Sequence, residues 1–323
     1  MNNFWEDKNV LITGGSGLLG SNLIKRLLEL KTHRIVVLVR DYVPKSIFFS
    51  EGLCDKVTIV RGKIEDFSLI ERALNEYEID TVFHLAAQPI VTIANKSPLA
   101  TFEANIRGTW NVLEACRLHK DNIKRILIAS SDKAYGSQKE LPYNETAPLQ
   151  GEHPYDVSKS CVDLISQSYY KTYGLSIAIT RCGNFYGPGD LNFNRIVPET
   201  IKNVLRNKRP LIRSDGNYIR DFIFIPDAVD GYLTIAENLH RDDIKGEAFN
   251  ISTGNRLNIL ELVKLILKNM NSDLEPEILN EAKGEIKHQY LNGEKIKRIL
   301  GWEPKHSIEE SLQKTIEWYK NNI

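Results

Sequence analysis

Two short stretches of this 323-residue chain combine residue types and spacing that could do chemistry: Gly14-x-x-Gly17-x-x-Gly20 and Tyr155-x-x-x-Lys159. The glycine stretch follows Asn9-Val-Leu-Ile-Thr13 and runs into an amphipathic segment. In a strand–turn–helix context the first glycine permits a tight turn, and the second lets backbone approach a pyrophosphate. The third lets the helix pack close to the sheet, while the helix N-terminus offers N–H donors and a positive dipole end. This reads as a dinucleotide-binding loop. At the end of the second apolar run, Arg40 can pair with the 2′-phosphate of NADP, and Asp41 beside it can hold the ribose of NAD. Arg40 tilts the expectation towards NADP. Tyr155 and Lys159, four apart at the start of a helical pattern, share one face. A phenol with a pKa of about 10 is a poor base at neutral pH, but a neighbouring ammonium or oxidised nicotinamide stabilises its phenolate.

The elements that must position these residues show as alternation. Short β-branched runs at 9–13, 34–39, 57–60, 81–85, 125–129 and 176–180 alternate with helical patterns at 18–30, 67–77, 101–118 and 155–173. Runs as continuously apolar as Ile-Val-Val-Leu-Val at 35–39 are those of strands buried on both faces. The pattern predicts an α/β fold, a Rossmann-type doubly wound parallel sheet. After Gly183 the alternation becomes irregular, with helical patterns at 196–206, 259–270 and 308–319 among Gly-, Pro- and Asn-rich loops. We therefore expect a dinucleotide-binding unit over 1–183 plus about 219–252. A smaller α/β substrate unit takes 184–218 and 253–323.

Lys plus Arg and Asp plus Glu are 42 each, so the net charge is zero and gives no footprint for nucleic acid or an anionic membrane. No apolar run approaches the roughly 18 residues of a membrane span. The first residues lack the pattern of a signal peptide. Cys54, Cys116, Cys161 and Cys182 are far apart, which disfavours a metal site or disulfide framework and fits reduced thiols in a cytoplasmic protein.

Taken together, the motifs resemble the extended short-chain dehydrogenase/reductase superfamily, nucleotide-sugar branch, over nearly the whole chain. The matching pieces are Thr13-Gly-Gly-Ser-Gly-Leu-Leu-Gly20, His84-Leu-Ala-Ala-Gln88, Asn105 with Gly108-Thr109, and Tyr155-x-x-x-Lys159. Gly183-Asn-Phe-Tyr-Gly-Pro-Gly189, Arg220-Asp-Phe-Ile-Phe-Ile-Pro-Asp227 and Leu300-Gly-Trp-Glu-Pro304 add to them. Ser131-Asp132-Lys133 looks like the nucleotide-sugar 4,6-dehydratases, CDP-glucose type. That reaction expels the C6 hydroxyl as water and needs a proton donor, whereas inversion at C4 needs none.

The resemblance implies a set of roles. Ser131, Asp132, Lys133, Tyr155 and Lys159 would be catalytic, with Asp132 the acid and Lys133 the candidate base at C5. Gly14, Ser16, Gly17, Leu18, Leu19, Gly20, Leu85, Ala86, Ala87, Asn105, Tyr155 and Lys159 would hold NADP or NAD, with Arg40 and Asp41 at the adenosine ribose. Gln88, Ser131, Asn184, Arg195 and Arg220 would hold a nucleotide-diphosphate sugar. Two departures stand out. Lys133 replaces the glutamate that most 4,6-dehydratases use as base. Lys63 replaces a common adenine-contacting aspartate, which moves those contacts to backbone near Ile64. The implied activity is 4,6-dehydration of CDP-glucose or GDP-N-acetylglucosamine for surface glycan synthesis, with a C4 epimerase or reductase as the alternative. Relatives pair two helices across a two-fold axis, so a homodimer or a dimer of dimers is expected, with Trp110, Val112, Leu113, Val162, Leu164 and Ile165 as candidate apolar contacts.

Overall fold

A computed structural model describes residues 3–281 and 286–323. Seven parallel strands form the main sheet. They are β1 (Asn9–Thr13), β2 (Arg34–Val39), β3 (Thr58–Arg61), β4 (Thr81–His84), β5 (Arg125–Ala129), β6 (Ile177–Cys182) and a last strand, Ala248–Ile251. Their spatial order is last strand, β6, β5, β4, β1, β2, β3. The order reverses between β1 and β4, and the crevice beyond the carboxyl ends of those strands is where α/β sheets of this kind bind ligands.

The apolar run of β2 explains itself in this setting. Ile35, Val37 and Val39 pack with helices Leu18–Glu29 and Ile225–Asn238 on one face. Val36 and Leu38 pack with helices Phe67–Glu76, Gly108–Leu118 and Pro154–Tyr173 on the other. Full burial of each such side chain contributes about 1.5–3 kcal/mol, so both faces must be covered and the strand has no polar side.

The smaller unit is built on a second sheet. Strand Ile219–Phe224 pairs with Asn184–Tyr186, Arg256–Asn258 and His288–Gln289. Helices Ile196–Leu205, Ile259–Asn269 and Ile308–Asn322 cover it through a core that includes Ile201, Phe222, Leu262 and Leu312. Capping boxes at Asn258/Glu261 and Ser307/Glu310 fix where two of those helices begin.

The sequence expectations differ from the fold in three places. Residues 219–224, expected with the dinucleotide unit, lie in the second sheet, because their backbone pairs with 184–186 rather than with β6. The helix expected over 101–118 is interrupted. Helix Pro98–Phe102 passes into a π-turn, Glu103–Arg107, before helix Gly108–Leu118. Such turns cluster at functional sites, and here it carries Asn105. Finally, Val112, Leu113 and Val162, expected as partner contacts, are buried against the sheet. Trp110 and Leu164 do reach the surface, at 43% and 53% exposure.

Candidate active site

The glycine loop has no room for side chains where it turns. Gly14 has φ +73°, and a Cβ there would lie 2.7 Å from Ala86 N. At Gly20 a Cβ would lie 2.3 Å from Gly14 O. The Gly17 N–H donates to Gly14 O at 3.0 Å, closing the turn. Helix Leu18–Glu29 then starts with no side-chain cap and no acidic residue in its first turn. Residues Gly14, Ser16, Gly17, Leu18, Leu19 and Gly20 therefore fit a pyrophosphate, which needs N–H donors, a positive dipole end and close backbone approach. Arg40 and Asp41 follow β2 and form an exposed ion pair with each other at 2.6 Å. Ile64 is buried under Gly108, whose added Cβ would meet it at 2.7 Å.

A buried chain of hydroxyl and imidazole groups joins this loop to the next strands. Thr13 Oγ1 lies 2.8 Å from His84 Nδ1 and accepts from the N–H groups of Leu85 and Ala86. His84 Nε2 lies 2.9 Å from Thr109 Oγ1, which itself donates to Asn105 O. The donor count assigns the imidazole proton to Nε2 and the Thr13 hydrogen to Nδ1. Burial, with the Lys159 charge nearby, pushes the His84 pKa down to about 3, so the ring stays neutral. Asn105 completes the link. Its Oδ1 accepts from Gln88 N at 2.7 Å, and its Nδ2 donates to Gln88 O and to Ser158 Oγ on the helix of Tyr155 and Lys159. The resemblance implies only a cofactor role for Asn105. The structure makes it the tie between the end of β4 and the catalytic helix.

The chemistry-bearing side chains converge beyond β5. Ser131 is extended and opens a tight helical turn, Asp132–Tyr135, its Oγ accepting from Lys133 N. Ser131 Oγ donates to Asp132 Oδ1 at 3.0 Å and also hydrogen-bonds Tyr155. Lys159 Nζ donates to Ala129 O at 2.6 Å and lies 6.0 Å from the centre of the Tyr155 ring. Burial lowers the Lys159 pKa to about 8 and raises that of the Tyr155 phenol, so without ligand the phenol carries its proton. Asp132 is 4% exposed, and its Oδ2 is buried with no hydrogen-bond partner among the described residues. Burial pushes its pKa up, against the opposing pull of Lys133, Ser131 and Arg220. A carboxyl so placed holds its proton more readily and can act as an acid.

Several supporting residues carry no signal in the sequence. Lys133 Nζ donates to Gln289 Oε1 at 2.6 Å, across 156 residues. The buried pair Arg181–Asp163 is bidentate at 2.7 and 2.9 Å, and Arg181 also donates to Tyr135 OH at 2.8 Å. That pair pins the end of the Asp132–Tyr135 turn to the catalytic helix, and removing one partner of such a pair costs about 3–5 kcal/mol. Asp221, beside Arg220, is buried with its Oδ1 unpartnered among the described residues, and burial raises its pKa to about 7. Only the pattern Arg-Asp-Phe in the sequence marked this position.

The expected substrate residues are held by their own loops and strands. Gln88 turns back on its own loop, exchanging hydrogen bonds with Ile90 N and O. Asn184 Nδ2 donates to Asp221 O at 3.3 Å. Arg195 pairs with Asp190 at 3.1 Å and stays partly exposed. Arg220, 8% exposed, donates to the carbonyls of Ile219 and Lys287, and its charge acts on Asp132. A separate cleft of about 570 Å³ between helices Leu18–Glu29, Ile225–Asn238 and Ile308–Asn322 contains none of these side chains.

A Gly-rich loop, a Tyr/Lys helix and a second unit closing over the switch point define an extended short-chain dehydrogenase/reductase of the nucleotide-sugar dehydratase and epimerase group. The sequence profile described as GDP-mannose 4,6 dehydratase matches residues 11–315, and the chain belongs to that family. It is 29% identical to CDP-glucose 4,6-dehydratase of Salmonella typhimurium, over 98% of this chain and 92% of that one. Its fold matches dTDP-glucose 4,6-dehydratase of Bacillus anthracis in complex with NAD at a TM-score of 0.86, with 28% identity and coverage of 98% and 97%. It also matches UDP-glucose 4-epimerase of Thermotoga maritima with UDP-glucose at a TM-score of 0.88, with 30% identity and coverage of 97% and 99%. Among the described residues no helix is long and apolar enough to cross a membrane.

Proposed function

We propose that this protein is a NAD(P)-dependent nucleotide-sugar 4,6-dehydratase of the CDP-glucose or GDP-N-acetylglucosamine type. Its product would be a 4-keto-6-deoxy nucleotide sugar for surface glycan synthesis in the cytoplasm. One observation carries the reading. Asp132 is a buried carboxyl with a raised pKa, joined to Ser131 and through it to Tyr155. Inversion at C4 has no use for such an acid.

Gly14, Ser16, Gly17, Leu18, Leu19 and Gly20 would hold the pyrophosphate, Arg40 and Asp41 the adenosine ribose, and backbone near Ile64 the adenine. Leu85, Ala86, Ala87 and Asn105 would line the nicotinamide side. When bound, the dinucleotide would supply reversible hydride transfer between C4 and C6 without being consumed. Tyr155, its phenolate stabilised by Lys159, takes the proton of the C4 hydroxyl, which Ser131 orients. The C4 ketone acidifies the C5 hydrogen, which passes to Lys133, and Asp132 protonates the departing C6 oxygen. As the hydride returns to C6, Lys133 gives the proton back to C5, so over the whole reaction Tyr155 gains one proton, Asp132 loses one and Lys133 is unchanged. Gln88, Asn184, Arg195 and Arg220 would surround the nucleotide diphosphate, the arginines pairing with phosphate oxygens. Arg40 favours NADP, whereas the Bacillus anthracis enzyme was solved with NAD.

Residues 1–183 and 225–252 would form the dinucleotide unit and the remainder the sugar-nucleotide unit. Trp110 and Leu164, exposed on adjacent helices, support a homodimer through those helices. The test of function is incubation with CDP-glucose, GDP-N-acetylglucosamine, GDP-mannose, dTDP-glucose and UDP-N-acetylglucosamine, followed by mass spectrometry. One substrate should lose one water; inversion at C4 with no loss of water from any of them overturns the reading in favour of an epimerase.

A further inference from the structure

Gln289 lies in the two-residue strand His288–Gln289 of the smaller unit, paired in register with Arg220. It is 0% exposed. Its Oε1 accepts from Lys133 Nζ at 2.6 Å, so the amide orientation is fixed by the lysine N–H donor. The other half of the carboxamide, Nε2, is buried without a hydrogen-bond partner among the described residues. A buried amide with one end unpaired is a poor choice for packing alone, because an apolar side chain of the same size would carry no unpaired donor. The residue that gains from it is Lys133, whose Nζ makes its hydrogen bond among the described residues to Gln289.

We infer that Gln289 is a positioning residue for the elimination step, fixing Lys133 Nζ at the reacting sugar from the opposite unit of the molecule. The inference rests on the dehydratase reading above. A carboxamide oxygen accepts an N–H from lysine whether the amine is charged or neutral. A neutral Lys133 bound this way keeps one lone pair, aimed by the Gln289 contact, for the C5 proton. Deprotonation at C5 and loss of the C6 hydroxyl then depend on the smaller unit being in place, while oxidation at C4, carried by Tyr155, Ser131 and Lys159, does not.

The test compares half-reactions in Gln289→Leu, Gln289→Glu and the unaltered enzyme. Gln289→Leu should fold with a melting temperature no lower than the parent. It should reduce nicotinamide at the parent rate on adding substrate, yet lose C5 hydrogen exchange with deuterated solvent and dehydrated product together. Misplacement of a catalytic group by about 1 Å costs on the order of 10²-fold, and a fall of that size is expected. Gln289→Glu keeps an acceptor oxygen at the same reach, but its carboxylate favours the ammonium form of Lys133. C4 oxidation should therefore persist, while C5 exchange and product return only at higher pH than in the parent. If Gln289→Leu folds poorly, Gln289→Met is read for the same ratio of half-reactions. Elimination at the parent rate in either apolar variant overturns the inference, as does an equal loss of C4 oxidation and elimination. A parent enzyme that releases no water from any nucleotide sugar overturns the dehydratase reading and this inference with it, whereas a parent that eliminates leaves the reading standing whatever Gln289 does.

Discussion

Ser131 donates its hydroxyl hydrogen to Asp132 Oδ1 at 3.0 Å, and the same oxygen hydrogen-bonds Tyr155. Tyr155 and Asp132, the groups whose protonation differs between the start and the end of the proposed reaction, are therefore one hydroxyl apart. The arrangement depends on the extended conformation of Ser131 at the end of β5, followed at once by the turn Asp132–Tyr135.

Asp132→Asn keeps the shape of the side chain and removes the acid. Oxidation at C4 does not use that proton, so stopped-flow absorbance should still show nicotinamide reduction on adding substrate. Dehydrated product should fall by ~10²–10⁴-fold, the scale of a general acid. Full turnover in this variant would remove Asp132 from the mechanism.

Tyr155→Phe removes the proton acceptor for the first step. Nicotinamide reduction and product formation should collapse together, the opposite of the split expected at Asp132. A variant that oxidised C4 normally would show that Tyr155 is not the base.

Asp221 sets a pH signature on stability. Its folded-state pKa, raised from 3.8 to about 7 by burial, means that folding favours the protonated form. The stability it contributes is complete below 3.8 and is lost as pH rises through about 7. Asp221→Asn carries a side chain that does not titrate, so its melting temperature should fall less than the parent's between those two pH values. Parallel curves for the two proteins would contradict the assignment.

Trp110 and Leu164 should disappear into an interface. Light scattering at micromolar concentration should give at least twice the 36.9 kDa chain mass. Trp110→Glu combined with Leu164→Glu should shift the protein towards monomer, because charges at the centre of an apolar interface are strongly unfavourable. A parent protein of single-chain mass would refute the dimer.

The parts of the fold and site legible in the sequence are those carried by local pattern. β2 shows because both faces are buried, the glycine loop because backbone contacts exclude a Cβ, and Tyr155 and Lys159 because one helix face needs a spacing of four. Gln289 could not be found this way. Its meaning comes from Lys133, 156 residues away, and no periodicity joins a two-residue strand to a turn in the other unit. The Arg181–Asp163 pair is hidden for the same reason, since an arginine ending a strand reads as a surface charge until the partner is seen. Residues 219–224 were expected in the wrong sheet because a short apolar strand carries no mark of which neighbour it will pair with.

In the proposed reaction C4 is oxidised, water leaves from C5 and C6, and the same hydrogen returns to the sugar. The most direct measurement uses the substrate found by the panel, labelled with deuterium at C4, with the product analysed by mass spectrometry and NMR. The account predicts loss of one water and recovery of the deuterium at C6 of the same molecule, with no net change in the dinucleotide. Deuterium retained at C4 of an inverted sugar, with no water lost, would contradict it.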